Sequence, residues 1–144
     1  LALEMVEVEG ATGELDTNFE GKVEAAWAKL QQYDFVCLHL EAPDECTHNG
    51  DLPGKLQAIE WLDSRLAAPL LERLERAELD HRVLLLSDHK TLTATRGHGA
   101  GPVPFLLYDS RRDSKSGSTY DEPSGEKGPF LESGTGLLTL LFEA

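Results

Sequence analysis

The chain has 144 residues and carries 26 Asp and Glu against 13 Lys and Arg, a formal net charge of −13. That balance argues against a nucleic-acid partner, whose binding rests on phosphate neutralisation by basic side chains, and against an anionic membrane surface. No apolar run approaches the ~18 residues of a membrane span, and the length predicts one domain, residues 1–144, large enough to bury a core.

Residues 5–9 alternate Val6 and Val8 with Glu7 and Glu9, which reads as a strand with one wet face. Gly10 to Gly13 then turns. Thr17-Asn-Phe-Glu20 fits a capping box, and a helix should run on to about Gln32 with Val23, Ala26, Trp27 and Leu30 on its inner face. Lys22 lies in the first turn. It is read either as a charge beside a phosphate or as a solvated lysine, and the second is preferred because Lys is mostly exposed. Residues 35–40 are a short apolar run that predicts a buried strand, with Cys37 and His39 packed inside it. Pro43 cannot donate to a ladder and should end that strand. The loop beyond carries Asp44 and His48, and in open α/β sheets ligand sites lie just outside the carboxyl ends of strands. Cys37 and Cys46 form neither a disulfide framework nor a Cys-x-x-Cys zinc pair, so a reducing, cytoplasmic setting without a secretion leader is expected.

Asn49-Gly50-Asp51 is turn chemistry, and Pro53 suits the first turn of a helix. Leu56, Ile59, Leu62 and Leu66 have helical spacing up to Pro69, which should break or kink the helix at Ala68. A second helical piece is expected over 70–79. A strand over 83–86 then runs straight into Ser87, Asp88 and His89. Residues 91–101 form a Gly-containing loop with Arg96 and His98, and a strand follows over 103–108. Residues 109–128 read as a mobile polar loop. Residues 137–142 fit an edge strand or a short helix. Alternating strands and helices predict an α/β fold with a largely parallel sheet flanked by helices.

Three of the five histidines, His48, His89 and His98, sit in strand-end or Gly-rich loops beside acids. His81 reads as exposed. Imidazole with carboxylate suits zinc, manganese or iron better than calcium, which prefers oxygen ligands. Asp44 and His48 are four apart, so they can share one side of a helical turn or wrap around one ion. Asp88 and His89 are adjacent and diverge if extended. Five ligands exceed the needs of one structural zinc and favour two ions. A pair of ions about 3.5–4 Å apart is an arrangement for phosphate-ester displacement. Each pair taken alone also fits an ordinary polar loop.

Glu41-Ala-Pro-Asp44-Glu-Cys-Thr-His48, Ser87-Asp88-His89-Lys-Thr91, and His98 followed by Pro102-Val-Pro104-Phe resemble the archaeal-type, cofactor-independent phosphoglycerate mutases. These belong to the alkaline phosphatase-like metalloenzyme superfamily. Gly10-Ala-Thr-Gly13-Glu-Leu-Asp16-Thr17-Asn18-Phe-Glu-Gly-Lys22 and Lys55-Leu-Gln-Ala-Ile-Glu60 also match the family pattern, so the likeness covers roughly the first 110 residues. Cys46-Thr47 departs from the small residues usual there, and Leu92 stands where a proline usually follows. The resemblance implies an alkaline phosphatase-like core lacking its N-terminal part. It implies two divalent metal ions, manganese or zinc. Asp44, His48 and His98 would hold one, and Asp88 with His89 the other. It implies a parent isomerase of glycolysis that interconverts 2- and 3-phosphoglycerate through a phosphoenzyme. The Ser or Thr nucleophile and a further Asp ligand of that family have no match here. Alone, the chain is therefore expected to be a metal-binding C-terminal fragment with negligible turnover, its partners a phosphorylated small-molecule substrate and the missing N-terminal half. A metal-dependent phosphomonoesterase, a kinase-like phosphotransferase and a non-catalytic metal-binding module are the alternatives, because fold and metal residues alone do not separate them.

Overall fold

The computed structural model describes residues 3–112 and 117–143. Its first helix, α1 (Phe19–Leu30), is capped by Asn18, whose side-chain oxygen accepts the Gly21 amide at 2.8 Å. The capping box expected at Thr17 does not form. Thr17 Oγ1 instead accepts the Thr12 amide at 3.0 Å, and Glu20 takes two bonds from Arg65 at 2.7 and 2.8 Å. Asn is as good a cap as Thr, so the helix starts one residue later once Thr17 is engaged in the preceding turn.

Helix α2 (Ala42–His48) begins with Pro43 in its first turn, where a missing amide is harmless. Helix α3 (Leu52–Trp61) is capped by Asp51, which accepts the Gly54 amide at 2.9 Å, and has Pro53 in its first turn as expected. Pro69 does not break the chain's helical course. A π-helical segment, Leu62–Ala67, leads directly into α4 (Ala68–Arg76), and the Ala68 amide reaches back to the Asp63 carbonyl. The wider turn absorbs the proline. An α-turn would press the ring on the Arg65 carbonyl and leave that carbonyl without a donor.

Contact density separates two compact units, Leu1–Ala77 with Thr91–Gly97, and Glu78–Lys90 with His98–Ala144. The core of the first is Phe19, Val23 and Leu66, with Leu38, Leu40 and Trp61 packed against it. Phe19 meets Trp61 edge to face with centroids 6.0 Å apart, and the Arg65 guanidinium lies over both rings at 4.9 and 4.8 Å. Arg65 thus covers the apolar cluster while Glu20 neutralises it.

Two predicted strands of this unit do not appear as such. Residues 5–9 and 35–40 join no strand ladder among the described residues. Leu38 and Leu40 still face the core, whereas Cys37 and His39 are exposed, against the expectation that both are packed inside. Alternation survives because an extended chain points successive side chains to opposite faces. A strand, however, also requires a hydrogen-bonded neighbour, which no local pattern guarantees.

In the second unit, β1 (Arg82–Leu86) pairs antiparallel with β4 (Phe105–Asp109), Arg82 opposite Asp109 and Leu86 opposite Phe105. Elsewhere in the chain, β2 (Lys90–Leu92) pairs with β3 (Gly97–Gly99) in another two-stranded sheet. The largely parallel sheet predicted from the sequence is not what these residues build; the β1–β4 ladder is antiparallel. Helices and short strands still place the chain in the α/β class. Buried Asp109 takes the Arg82 guanidinium at 2.7 Å and that of Arg111 at 2.9 Å. Arg82 also donates to the Leu141 and Glu143 carbonyls, tying β1 to the end of α6 (Thr135–Phe142). Residues 137–142 are therefore helix rather than edge strand. Within the span read as a mobile polar loop, Glu122–Gly125 forms one turn, α5, capped by Asp121; residues 113–116 lie outside the described residues.

Candidate metal centre

Helix α2 brings Asp44 and His48 together. Four residues advance an α-helix by slightly more than one turn, so positions 44 and 48 share a face. Asp44 Oδ2 lies 3.2 Å from His48 Nε2, and both side chains are only partly exposed, at 23% and 35%. The Arg96 carbonyl, 2.7 Å from His48 Nδ1, can only accept, so Nδ1 carries the proton. In the neutral ring that leaves the Nε2 lone pair facing a carboxylate oxygen. Two electron-rich atoms at that separation are stable only with a proton or a cation between them. A neutral imidazole whose other nitrogen is fixed on a carbonyl is also the usual state of a metal-bound histidine. The residues present therefore fit a divalent metal ion.

Arg96 adopts a left-handed backbone, φ +55°, which turns its carbonyl toward His48. Its guanidinium lies over Gly50. On the other side, Thr91 Oγ1 donates to Asp44 Oδ1, and the Thr91 carbonyl accepts Lys55 Nζ at 2.9 Å. Cys46 lies on the buried face of α2. Burial, reinforced by Asp51 and Glu14, pushes its thiol pKa up, which disfavours the thiolate that a metal would need.

In the second unit, Asp88 and His89 follow β1 in a bend rather than an extended segment. They are brought together instead of diverging: His89 Nε2 is 3.5 Å from Asp88 Oδ2, and the His89 amide donates to Asp88 Oδ1 at 3.1 Å. The His89 and His98 rings stack with centroids 3.8 Å apart. His81 is half-buried rather than exposed, with Nδ1 donating to the Leu79 carbonyl at 2.8 Å.

Lys22 is also less solvated than expected. Its ammonium donates to the His39 carbonyl at 2.8 Å, and burial lowers its pKa against the opposing pull of Glu41. Sequence reasoning missed Thr91, Lys55 and the Arg96 carbonyl as partners of the ligand pair. They lie far along the chain from Asp44 and His48, and no spacing rule connects them.

A family profile described as the metalloenzyme superfamily matches residues 2–139. A 2,3-bisphosphoglycerate-independent phosphoglycerate mutase from Methanosarcina barkeri is 41% identical over 144 residues, which are 99% of this chain and 36% of that protein. The same enzyme from Methanothrix thermoacetophila is 44% identical over 138 residues, 95% of this chain and 35% of its own length. A solved structure from Pyrococcus horikoshii superposes with TM-score 0.75 at 30% identity, covering 84% of this chain and 36% of that one. The chain thus spans about a third of the length of these relatives, in their C-terminal portion. Among the described residues, no helix is long and apolar enough to cross a membrane.

Proposed function

Because the chain belongs to the metalloenzyme superfamily, we propose that it is the metal-binding C-terminal part of a 2,3-bisphosphoglycerate-independent phosphoglycerate mutase. One observation carries the reading. His48 presents Nε2 to the Asp44 carboxylate while the Arg96 carbonyl holds Nδ1, a ligand pair prepared for a cation.

Asp44, His48 and His98 would hold one divalent ion, and Asp88 with His89 a second, with manganese or zinc suited to the carboxylate and imidazole donors. His98 stands two residues beyond Arg96, a reach of about 7 Å at most, so it can join a ligand pair anchored on the Arg96 carbonyl. The stacked rings of His89 and His98 suit ligands of two neighbouring ions, about 3.5–4 Å apart in two-metal sites. Bound, such ions polarise a phosphoryl group and stabilise charge developing on its oxygens. The chain's own contribution is to orient the ligands: Arg96 sets the His48 tautomer, and α2 sets the separation of Asp44 from His48. The phosphorylated substrate, the nucleophile and the cytoplasmic setting belong to the whole enzyme, of which this chain would supply the ligands.

Titration with manganese and with zinc, on this chain and on His48→Ala, tests the reading. One tight ion that the variant loses is the expected result. No binding, or binding indifferent to His48, overturns it.

A further inference from the structure

We propose that Thr91 is a positioning residue for the Asp44 carboxylate, a role that deepens the metal-site reading above and rests on it. Thr91 Oγ1 donates to Asp44 Oδ1, while Asp44 Oδ2 faces His48 Nε2 at 3.2 Å. A hydrogen bond between a hydroxyl and an ionised carboxylate is short and strong. It occupies one oxygen and thereby selects the other for the cation. Left unrestrained, a carboxylate at the end of an Asp side chain rotates about χ2 over a broad range. Held by Thr91, it keeps one edge toward His48.

Thr91 is itself held. Its carbonyl accepts the Lys55 ammonium of α3 at 2.9 Å, and its β-branched side chain is stiff at χ1. α3 in turn is capped by Asp51, directly after the Asn49-Gly50 turn that ends α2. The hydroxyl is therefore anchored through Lys55 to the neighbour of the helix that carries Asp44. Valine matches threonine in shape and lacks the donor, whereas serine keeps the donor. The pair isolates the hydrogen bond from packing.

Calorimetric titration of manganese into the full chain, into Thr91→Val and into Thr91→Ser tests the proposal. Outer-shell partners of metal ligands are worth about 10–100-fold in affinity. Thr91→Val should weaken manganese by about tenfold or more, and Thr91→Ser should stay within about threefold of the parent. A purely structural role predicts no such rescue. Parental affinity in Thr91→Val, or equal losses in both variants, overturns the proposal. Should the parent chain bind no manganese, the metal-site reading fails separately. Thr91 is then judged on the metal-free protein from the ¹³C shift of the Asp44 carboxyl carbon. Movement in Thr91→Val but not in Thr91→Ser supports positioning, and no movement refutes it.

Discussion

Replacing Gly50 with alanine tests how the turn between α2 and α3 is built. Gly50 has φ +73°, a region in which an L-residue loses about 1–2 kcal/mol through its Cβ. A Cβ here would also stand 2.6 Å from Nε and Nη2 of Arg96. The guanidinium is the flexible end of its side chain and can swing away, so this second effect is small beside the first. Gly50→Ala should therefore cost about 1–2 kcal/mol, beyond the gain alanine brings by restricting the unfolded chain. Urea unfolding followed by Trp27 and Trp61 fluorescence reads it, since both tryptophans lie in the unit that contains Gly50. With a slope of about 1–3 kcal/mol/M, the midpoint should fall by roughly 0.5–1 M at unchanged slope. Gly50→Asn should recover about half of the loss, because Asn tolerates the left-handed region. A parental midpoint for Gly50→Ala, or an Asn variant no better than the Ala one, refutes the reasoning.

Phe19 is 1% exposed and sits edge-on to Trp61, so Phe19→Ala should lose about 3–5 kcal/mol. Calorimetric melting checks it, with a fall in Tm of about 10 °C expected at 2–4 °C per kcal/mol. Asp109 is held well below the usual carboxylate range, first by its bond from Arg111, then by those from Arg82 and the Arg111 amide, against an opposing effect of burial. A carboxylate whose folded pKa is depressed adds stability that is complete above its unfolded pKa, about 3.9, and is lost as pH falls through the folded value. Asp109→Asn should therefore be less stable at neutral pH and lose less stability on acidification below about pH 4. Parallel pH–stability curves for variant and parent would contradict this.

Much of the candidate site was legible because its signal is local. Asp44 and His48 lie four apart on one short helix, and Asp88 with His89 follows directly on a strand, so spacing and residue chemistry were enough to nominate them. The residues that orient the first pair were not legible. Thr91 and the Arg96 carbonyl reach α2 from distant chain positions, and a backbone carbonyl leaves no mark in a residue pattern. The left-handed φ of Arg96 had no signal at all, since the residue is not glycine.

The longer helices, the candidate donor set and the acidic character could be read directly from the residues, because caps, apolar periodicity and residue chemistry act over a few positions, whereas α2 was expected as a loop. α1, α3 and α4 begin within about two residues of where the Thr17-Asn-Phe-Glu20 stretch, Pro53 and Pro69 place them, although Asn18 rather than Thr17 caps α1. Which extended runs became strands depended on long-range pairing. Residues 82–86 found an antiparallel neighbour in 105–109 and residues 35–40 found no ladder among the described residues, although both runs are apolar. A strand exists only through the hydrogen bonds of a second chain segment, whereas a helix satisfies its own backbone. The same distinction governs the metal centre. The residue types of the candidate donors are written in the sequence, but Asp44 and His48 are oriented by partners that only folding brings within 3 Å of them.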